Sequence, residues 1–286
     1  MTTTKLILNS LRHHARLHLG ALLGAAVGGA ILIGALLVGD SVCESLKRMA
    51  LLRLGNTQAV LLSNDRLFRA ELADDLEKDL GRPTAPVLIF LGTASTDGGE
   101  ARANQVQILG IDDRFHHKFA YPENSGRDVP VWADRGIGLN AQLAAHLGAK
   151  EGDEVLLRLP KPSLLSREAP MAPEEGSSVA IRVEVAWVMG DNDLGRFSLQ
   201  ASQIPVFNAF VPISLLQEKL ETPGKANLML IGGDDFADKK ASTAFTAEAA
   251  VALKKHWTLA DAELELIALP DRREKIIELR TGRVFL

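Results

Sequence analysis

From Leu19 to Gly39 the chain reads LGALLGAAVGGAILIGALLVG, without one charged residue. As a helix rising 1.5 Å per residue, this run spans roughly 31 Å, about the thickness of a bilayer's hydrocarbon core. Buried helices of water-soluble proteins rarely stay wholly apolar beyond about 14 residues, so the run predicts a membrane-spanning helix in contact with lipid. Lys5, Arg12 and Arg16 precede it as the charged start of a signal peptide would. A signal peptide's apolar stretch, however, is usually about 7 to 15 residues, and no Ala-x-Ala cleavage site follows Gly39. Cys43 follows Asp40, Ser41 and Val42 rather than the Leu and two small residues that a lipidation site wants. The expectation is an uncleaved anchor.

The positive charges do not orient this helix by themselves, since Lys47, Arg48 and Arg53 after it balance the three before it. The amino terminus and His13, His14 and His18 tip the balance toward a cytoplasmic start. Gly20, Gly24 and Gly28 are spaced four apart and share one helix face, where missing side chains let another helix approach closely. They are the candidate helix-packing residues.

Beyond Asp40 no second apolar stretch of spanning length occurs, so the remainder is expected on one side of the membrane, in water. Asp40 to Leu54 places Val42, Leu46, Met49 and Leu52 at helical spacing, which predicts that the membrane helix continues as an amphipathic stalk until Gly55. The rest alternates strand-like and helix-like patterns. Strands are predicted at Gln58–Leu62, Ala85–Leu91, Asn104–Ile111, Glu154–Leu159, Val179–Met189, Phe207–Pro212, Asn227–Ile231 and Leu264–Leu269. Helices are predicted at Arg66–Leu80, Asn140–Leu147, Ser214–Leu220 and Ala241–Trp257, with Gly81 and Gly148 as stops. The fold class is therefore α+β: one amino-terminal transmembrane helix with a stalk, then a mixed α/β domain. Pro160 to Ser178 carries four prolines among polar residues and reads as a long, exposed and mobile loop. The boundaries are 1–18 for the cytoplasmic start, 19–39 for the span, 40–57 for the stalk and 58–286 for the extracytoplasmic domain.

Composition narrows the function. Lys and Arg total 32 against 36 Asp and Glu, a net charge of −4 that argues against a nucleic-acid surface. With one Tyr and three Trp there is little from which to build stacking platforms. The single Cys43 forms neither an internal disulfide nor a cysteine-based zinc site. Asp112 and His116 share a helix face and so could approach a metal together, but no third ligand follows at metal-site spacing. A strand-exit turn with Phe115 and Phe119 packed inward is the plainer reading. Asp191, Asp193 and Asp234-Asp235 lack EF-hand spacing and read as turns. No Gly-x-Ser-x-Gly elbow occurs, and no G-x-x-x-x-G-K-[ST] phosphate loop. No catalytic, metal or cofactor-binding residue is assigned, and any ATP-derived energy must come from another polypeptide.

These residues also carry a resemblance. The basic amphipathic start, the single apolar helix, the exit Gly39-Asp40-Ser41-Val42 and the stalk end Arg53-Leu54-Gly55 resemble the opening of bacterial ABC transporter permeases of the MacB/FtsX class. Leu109-Gly110-Ile111-Asp112-Asp113-Arg114-Phe115 resembles their strand exit "GVDDRF". Leu139 to Gly148 followed by Gly152-Asp153 resembles their "LA..LG...GD" helix, turn and strand unit. Arg196 to Leu199 and Asn208 to Gln217 are similar to a further segment of large members of the class.

The resemblance implies a non-enzymatic permease-type subunit in the cell inner membrane, its bulk periplasmic. It implies an ABC ATPase on a separate chain, a second permease copy and the lipid bilayer as partners, with no cofactor and no nucleic acid. Members of the class have four membrane helices with the large domain between the first two, so three further helices are expected in the native reading frame, unless that frame is interrupted. The alternative function is a free-standing, membrane-anchored periplasmic binding or sensor module, and after it an anchored enzyme.

Overall fold

A computed structural model describes residues 3–64, 66–96, 98–120, 136–162, 178–200, 206–233, 239–269 and 276–281. The chain divides into two compact units, Met1–Leu51 and Leu52–Leu286.

The first unit is helical. Helix α1 covers Thr3–His13 and, after a turn at His14, helix α2 runs without a break over Ala15–Leu54. Its 40 residues extend about 60 Å, so the apolar run and the predicted stalk are one rod. No residue of α2 is buried. Leu22, Ile31, Leu32 and Leu36 are each 67 or 68% exposed. Leucines and isoleucines so presented would each cost about 1.5–3 kcal/mol in water relative to burial. Among the described residues α2 is the one helix long and apolar enough to cross a membrane.

The second unit is a mixed α/β body. In chain order its elements are β1 (Thr57–Leu62), β2 (Phe68–Arg69), α3 (Leu72–Leu80), β3 (Thr84–Thr96), β4 (Arg102–Ile111), a π-helical turn (Phe115–Ala120), β5 (Gly136–Asn140), α4 (Ala141–Leu147), β6 (Glu154–Pro160) and β7 (Ser178–Met189). A 3-10 turn (Asp191–Asp193), β8 (Phe207–Pro212), α5 (Ile213–Lys219), β9 (Lys225–Ala226), β10 (Leu228–Gly232), α6 (Lys239–His256), a second 3-10 turn (Leu259–Ala262), β11 (Leu264–Leu269) and β12 (Ile276–Thr281) follow.

Eight strands form one sheet in the order β1-β10-β3-β4-β8-β5-β7-β6, and an added pairing of β3 with β6 closes the last six into a ring. Strand β3 makes this possible by changing partner along its length. Thr84–Val87 pair with β10, whereas Thr93–Thr96 pair with Val155–Arg158 of β6. The register against β4 shifts between Gly92 and Thr93, and a Cβ on Gly92 would lie 2.3 Å from the carbonyl oxygen of Arg158. Only glycine admits β6 at that corner.

One hydrophobic cluster fills the ring and receives α4 and α5, with Ile108, Ile137, Leu139, Leu143, Val155 and Val185 fully buried. A second, rich in aromatics, gathers Phe115, Phe119, Phe197 and Phe210. A third lies under α3 and α6 around Phe68, Leu72 and Leu76.

Most predicted elements are present within a residue or two, with three differences. The helix predicted from Arg66 begins only at Leu72, because Phe68 and Arg69 pair with Ala226 and Lys225 instead. Strand β3 runs five residues past Leu91 to reach β6. Strands β5, β9 and β12 are additional. Gly81 and Gly148 cap α3 and α4 in the left-handed conformation, with φ of 61° and 65°. Most of Pro160–Ser178, the pair Asp234-Asp235 and the terminal Arg283–Leu286 lie outside the described residues.

Candidate functional site

The predicted packing residues Gly20, Gly24 and Gly28 lie on α2, where a methyl group added to any of them would meet no other atom within 4 Å. At about 100° per residue, their face continues along the rod. Ile31, Ala35, Val38, Val42, Leu46 and Met49 fall within the same arc of about 80°. Asp40, Glu44, Lys47 and Arg48 lie on the other side of the stalk portion by the same count. One stripe, uncharged from Gly20 to Met49, thus joins the apolar run to the rest of α2, narrow with glycine at one end and bulky at the other, and Arg53 follows in the same arc near the helix end. Cys43 is exposed.

In the α/β unit the polar positions noted from sequence have structural employment. The Asp112 carboxylate accepts from the Arg114 backbone N–H at 3.1 Å and from Arg114 Nε at 2.7 Å. Burial pushes its acidity toward a higher pKa, against the pull of the Arg114 charge. Arg114 also pairs with Asp74 of α3. His116 is completely buried, edge-on to Phe115 at 5.4 Å between ring centres and 6.0 Å from Trp187. Burial, with the neighbouring His117, lowers its pKa from 6.5 to about 4. Asp112 and His116 therefore do not converge: one holds a guanidinium and the other lies among aromatic rings. Phe115 and Phe119 point inward as predicted. Asp193 closes its turn by accepting from the Gly190 N–H at 3.1 Å, and Asp191 pairs with Arg196 at 2.6 Å. Among the described residues no group of three or more His, Cys, Asp or Glu is placed to hold a metal ion.

Helix α3 is held from two sides by its own carboxylates. Asp74 and Glu77 pair with Arg114 and Lys118 around the π-helical turn, while Asp75 and Asp79 pair with Arg69 and with Lys255 and His256 at the end of α6. Burial would raise the Glu77 pKa, but the Lys118 ammonium and Thr84 donors bring it below the usual value. Arg69 reaches further, its Nε donating to both Asp261 oxygens at 3.0 and 3.1 Å. The Asp261 side chain is fully buried. Its pKa is lowered although burial opposes ionisation, because Arg69 and the Thr258 donors favour the charged form.

Sequence reasoning missed the buried amides. Asn140 caps α4 by accepting from the Leu143 N–H at 3.0 Å, accepts from the Asn208 N–H at 3.2 Å, and donates to the Val206 carbonyl at 2.7 Å. Asn208 donates to the carbonyls of Gly195 and Phe197 at 2.9 and 2.8 Å. The signals were an Asn before an apolar helix and a single Asn in an otherwise apolar strand. The two segments whose resemblance was noted, Leu139–Gly148 and Asn208–Gln217, meet at this pair.

No protein-family model matches the sequence, and a search by sequence among curated proteins finds no match. Among solved structures the chain is similar to the periplasmic region of MacB from Actinobacillus actinomycetemcomitans, at 12% identity and a TM-score of 0.42, over 81% of this chain and 92% of that one. It is similar to the extracellular domain of the noncanonical ABC-type transporter YknZ from Gram-positive bacteria, at 12% identity and a TM-score of 0.40, over 69% and 92%. A domain of a permease protein from Porphyromonas gingivalis is similar at 11% identity and a TM-score of 0.37, over 74% and 76%.

Proposed function

We propose that this chain is a permease-type subunit of an ABC transporter, or the amino-terminal part of one. It performs no chemistry itself. Residues 1–18 lie in the cytoplasm, 19–39 cross the inner membrane, 40–57 form the stalk, and 58–286 form the extracytoplasmic domain. ATP hydrolysis on a partner chain moves the membrane helices, and the stalk relays that movement to the outer domain. The observation that carries this reading is the unbroken helix Ala15–Leu54. A single rod that is apolar at one end and carries most of its charges at the other transmits displacement out of the bilayer without a joint. The glycine face meets a neighbouring span, from later helices of the same polypeptide or from a second copy, because close backbone approach is what drives helix association in lipid. The resemblance of the quoted motifs to the MacB/FtsX class supports the same reading.

The test is copurification from membranes with an ABC ATPase, together with topology. Protease added to intact spheroplasts should cut within 160–178, and ATP hydrolysis by the partner should respond to the presence of this chain. Cleavage there only after lysis would overturn the orientation. Correct topology with no ATPase partner would favour the free-standing binding or sensor module.

A further inference from the structure

Strands β11 and β12 form a sheet of their own, two strands wide. Leu264 pairs with Thr281 and Leu266 with Leu279, and these residues share a face with Ile277. That face is open: Leu266, Ile277 and Leu279 are 55, 68 and 58% exposed. A lone two-stranded ribbon is marginal in water and wants further strands or a cover for its apolar face. Among the described residues β12 pairs on one side only, with β11. An edge of this kind is a template for another strand.

The order of residues along β12 selects the occupant. Glu278 and Arg280 lie on the opposite face, linked by two hydrogen bonds of 3.0 Å, with Leu279 between them. If a second β12 runs antiparallel beside the first and crosses it at Leu279, each Glu278 stands opposite the other copy's Arg280, and Leu279 meets Leu279. The strand is thus complementary to itself, as an isologous interface requires. Strand β11 is not: crossing at Leu266 would set Glu265 opposite Ile267, with no compensating charge.

We propose that the outer edge of β12 docks a second copy of this chain, joining two ribbons into a four-stranded antiparallel sheet about a two-fold axis through Leu279. The apolar row Leu266–Leu279 then runs unbroken across all four strands, and on the other face the six charges, Glu265, Glu278 and Arg280 of each copy, alternate in sign from strand to strand. This interface does not depend on the transport reading.

The test uses the full chain, extracted from membranes, in a Cys43→Ser background. Directly opposed Cβ atoms in such a pair lie about 4.5–5.5 Å apart, so L279C should be joined to a second copy by a short bis-maleimide, whereas L266C on the far strand should react several-fold less. Glu278→Arg and Arg280→Glu, each added alone to L279C, put like charges opposite each other twice and should lower the crosslinked fraction about tenfold. Mixing the two differently tagged variants restores both attractive pairs, and a crosslinked heterodimer should return to the parental level. The heterodimer arm separates docking from folding, because each chain carries the same substitution in the mixture as alone. Absence of crosslinking at L279C, equal crosslinking at L266C, insensitivity to either charge change, or no recovery on mixing would each overturn the proposal.

Discussion

Asn140 and Asn208 are joined across two strands by a hydrogen bond of 3.2 Å from the Asn208 backbone N–H to the Asn140 side-chain oxygen, both residues fully buried. The same oxygen caps α4, so one side chain sets the start of a helix and its distance from β8. Asn140→Ala removes a helix cap, costing about 0.5–2 kcal/mol. It also strands a buried N–H, at about 1–3 kcal/mol. The expected loss is about 2–4 kcal/mol, read as a lowered denaturation midpoint of the full chain in detergent. A loss below about 0.5 kcal/mol would mean that water replaces the amide.

His116 makes stability depend on pH. Its folded pKa of about 4 lies below the unfolded 6.5, so the unfolded chain binds the proton more readily between those values. Stability is unaffected by this residue above pH 6.5, declines as the pH falls toward 4 by up to about 1.4 kcal/mol per unit, and declines no further below that. His116→Phe should flatten this part of the profile. Parallel profiles for the two proteins between pH 6.5 and 4 would contradict the assignment.

Asp261 ties the turn after α6 to β2. Replacing it with Ala leaves the Arg69 guanidinium and the Thr258 N–H without their shared acceptor, and breaking such a pair costs about 3–5 kcal/mol when both members are buried. Arg69 is 27% exposed, so about 2–4 kcal/mol is expected here. Hydrogen exchange should quicken first at Leu259–Ala262. Uniform quickening across the α/β unit would instead mean that Asp261 supports the whole body.

In the membrane helix, Gly24→Ile should weaken association with neighbouring spans, while Ala30→Ile, about 120° around the helix from Gly24, should be milder. A membrane dimerisation assay or copurification from bilayers reads the difference. Equal effects at the two positions would make the spacing a matter of composition.

The elements legible in the sequence were those whose own residues announce them. Phe207–Pro212 and Leu264–Leu269 are short apolar runs between polar turns, and both strands have those ends. Strand β5 was not legible, because GIGLN has two glycines and is buried throughout, between β7 and β8, with no alternation to betray it. Phe68 carries helical spacing with Leu72 and Leu76, yet it joins a strand because Ala226 offers it a partner. The glycine stripe is a local pattern and could be read directly. The Asn140–Asn208 contact spans 68 positions and exists only because the sheet sets β5 beside β8.

The change of partner along β3 also determines how the α/β body bears load. Six strands close on one another and present no side from which they can be peeled. Strands β1 and β10 stand outside that ring, joined to it through four residue pairs between β10 and the first part of β3 and through the Asn227 side chain, which accepts from the Ile89 N–H at 2.7 Å and donates to the Ile89 carbonyl at 2.8 Å. A pull applied at Thr57 is therefore met first by the ladder of β1 on β10 and then by those four pairs together with the Asn227 bonds to Ile89. The ring beyond would have to shear along its whole circumference. Under such a load the outer pair of strands would be the part to yield, in series with a hoop.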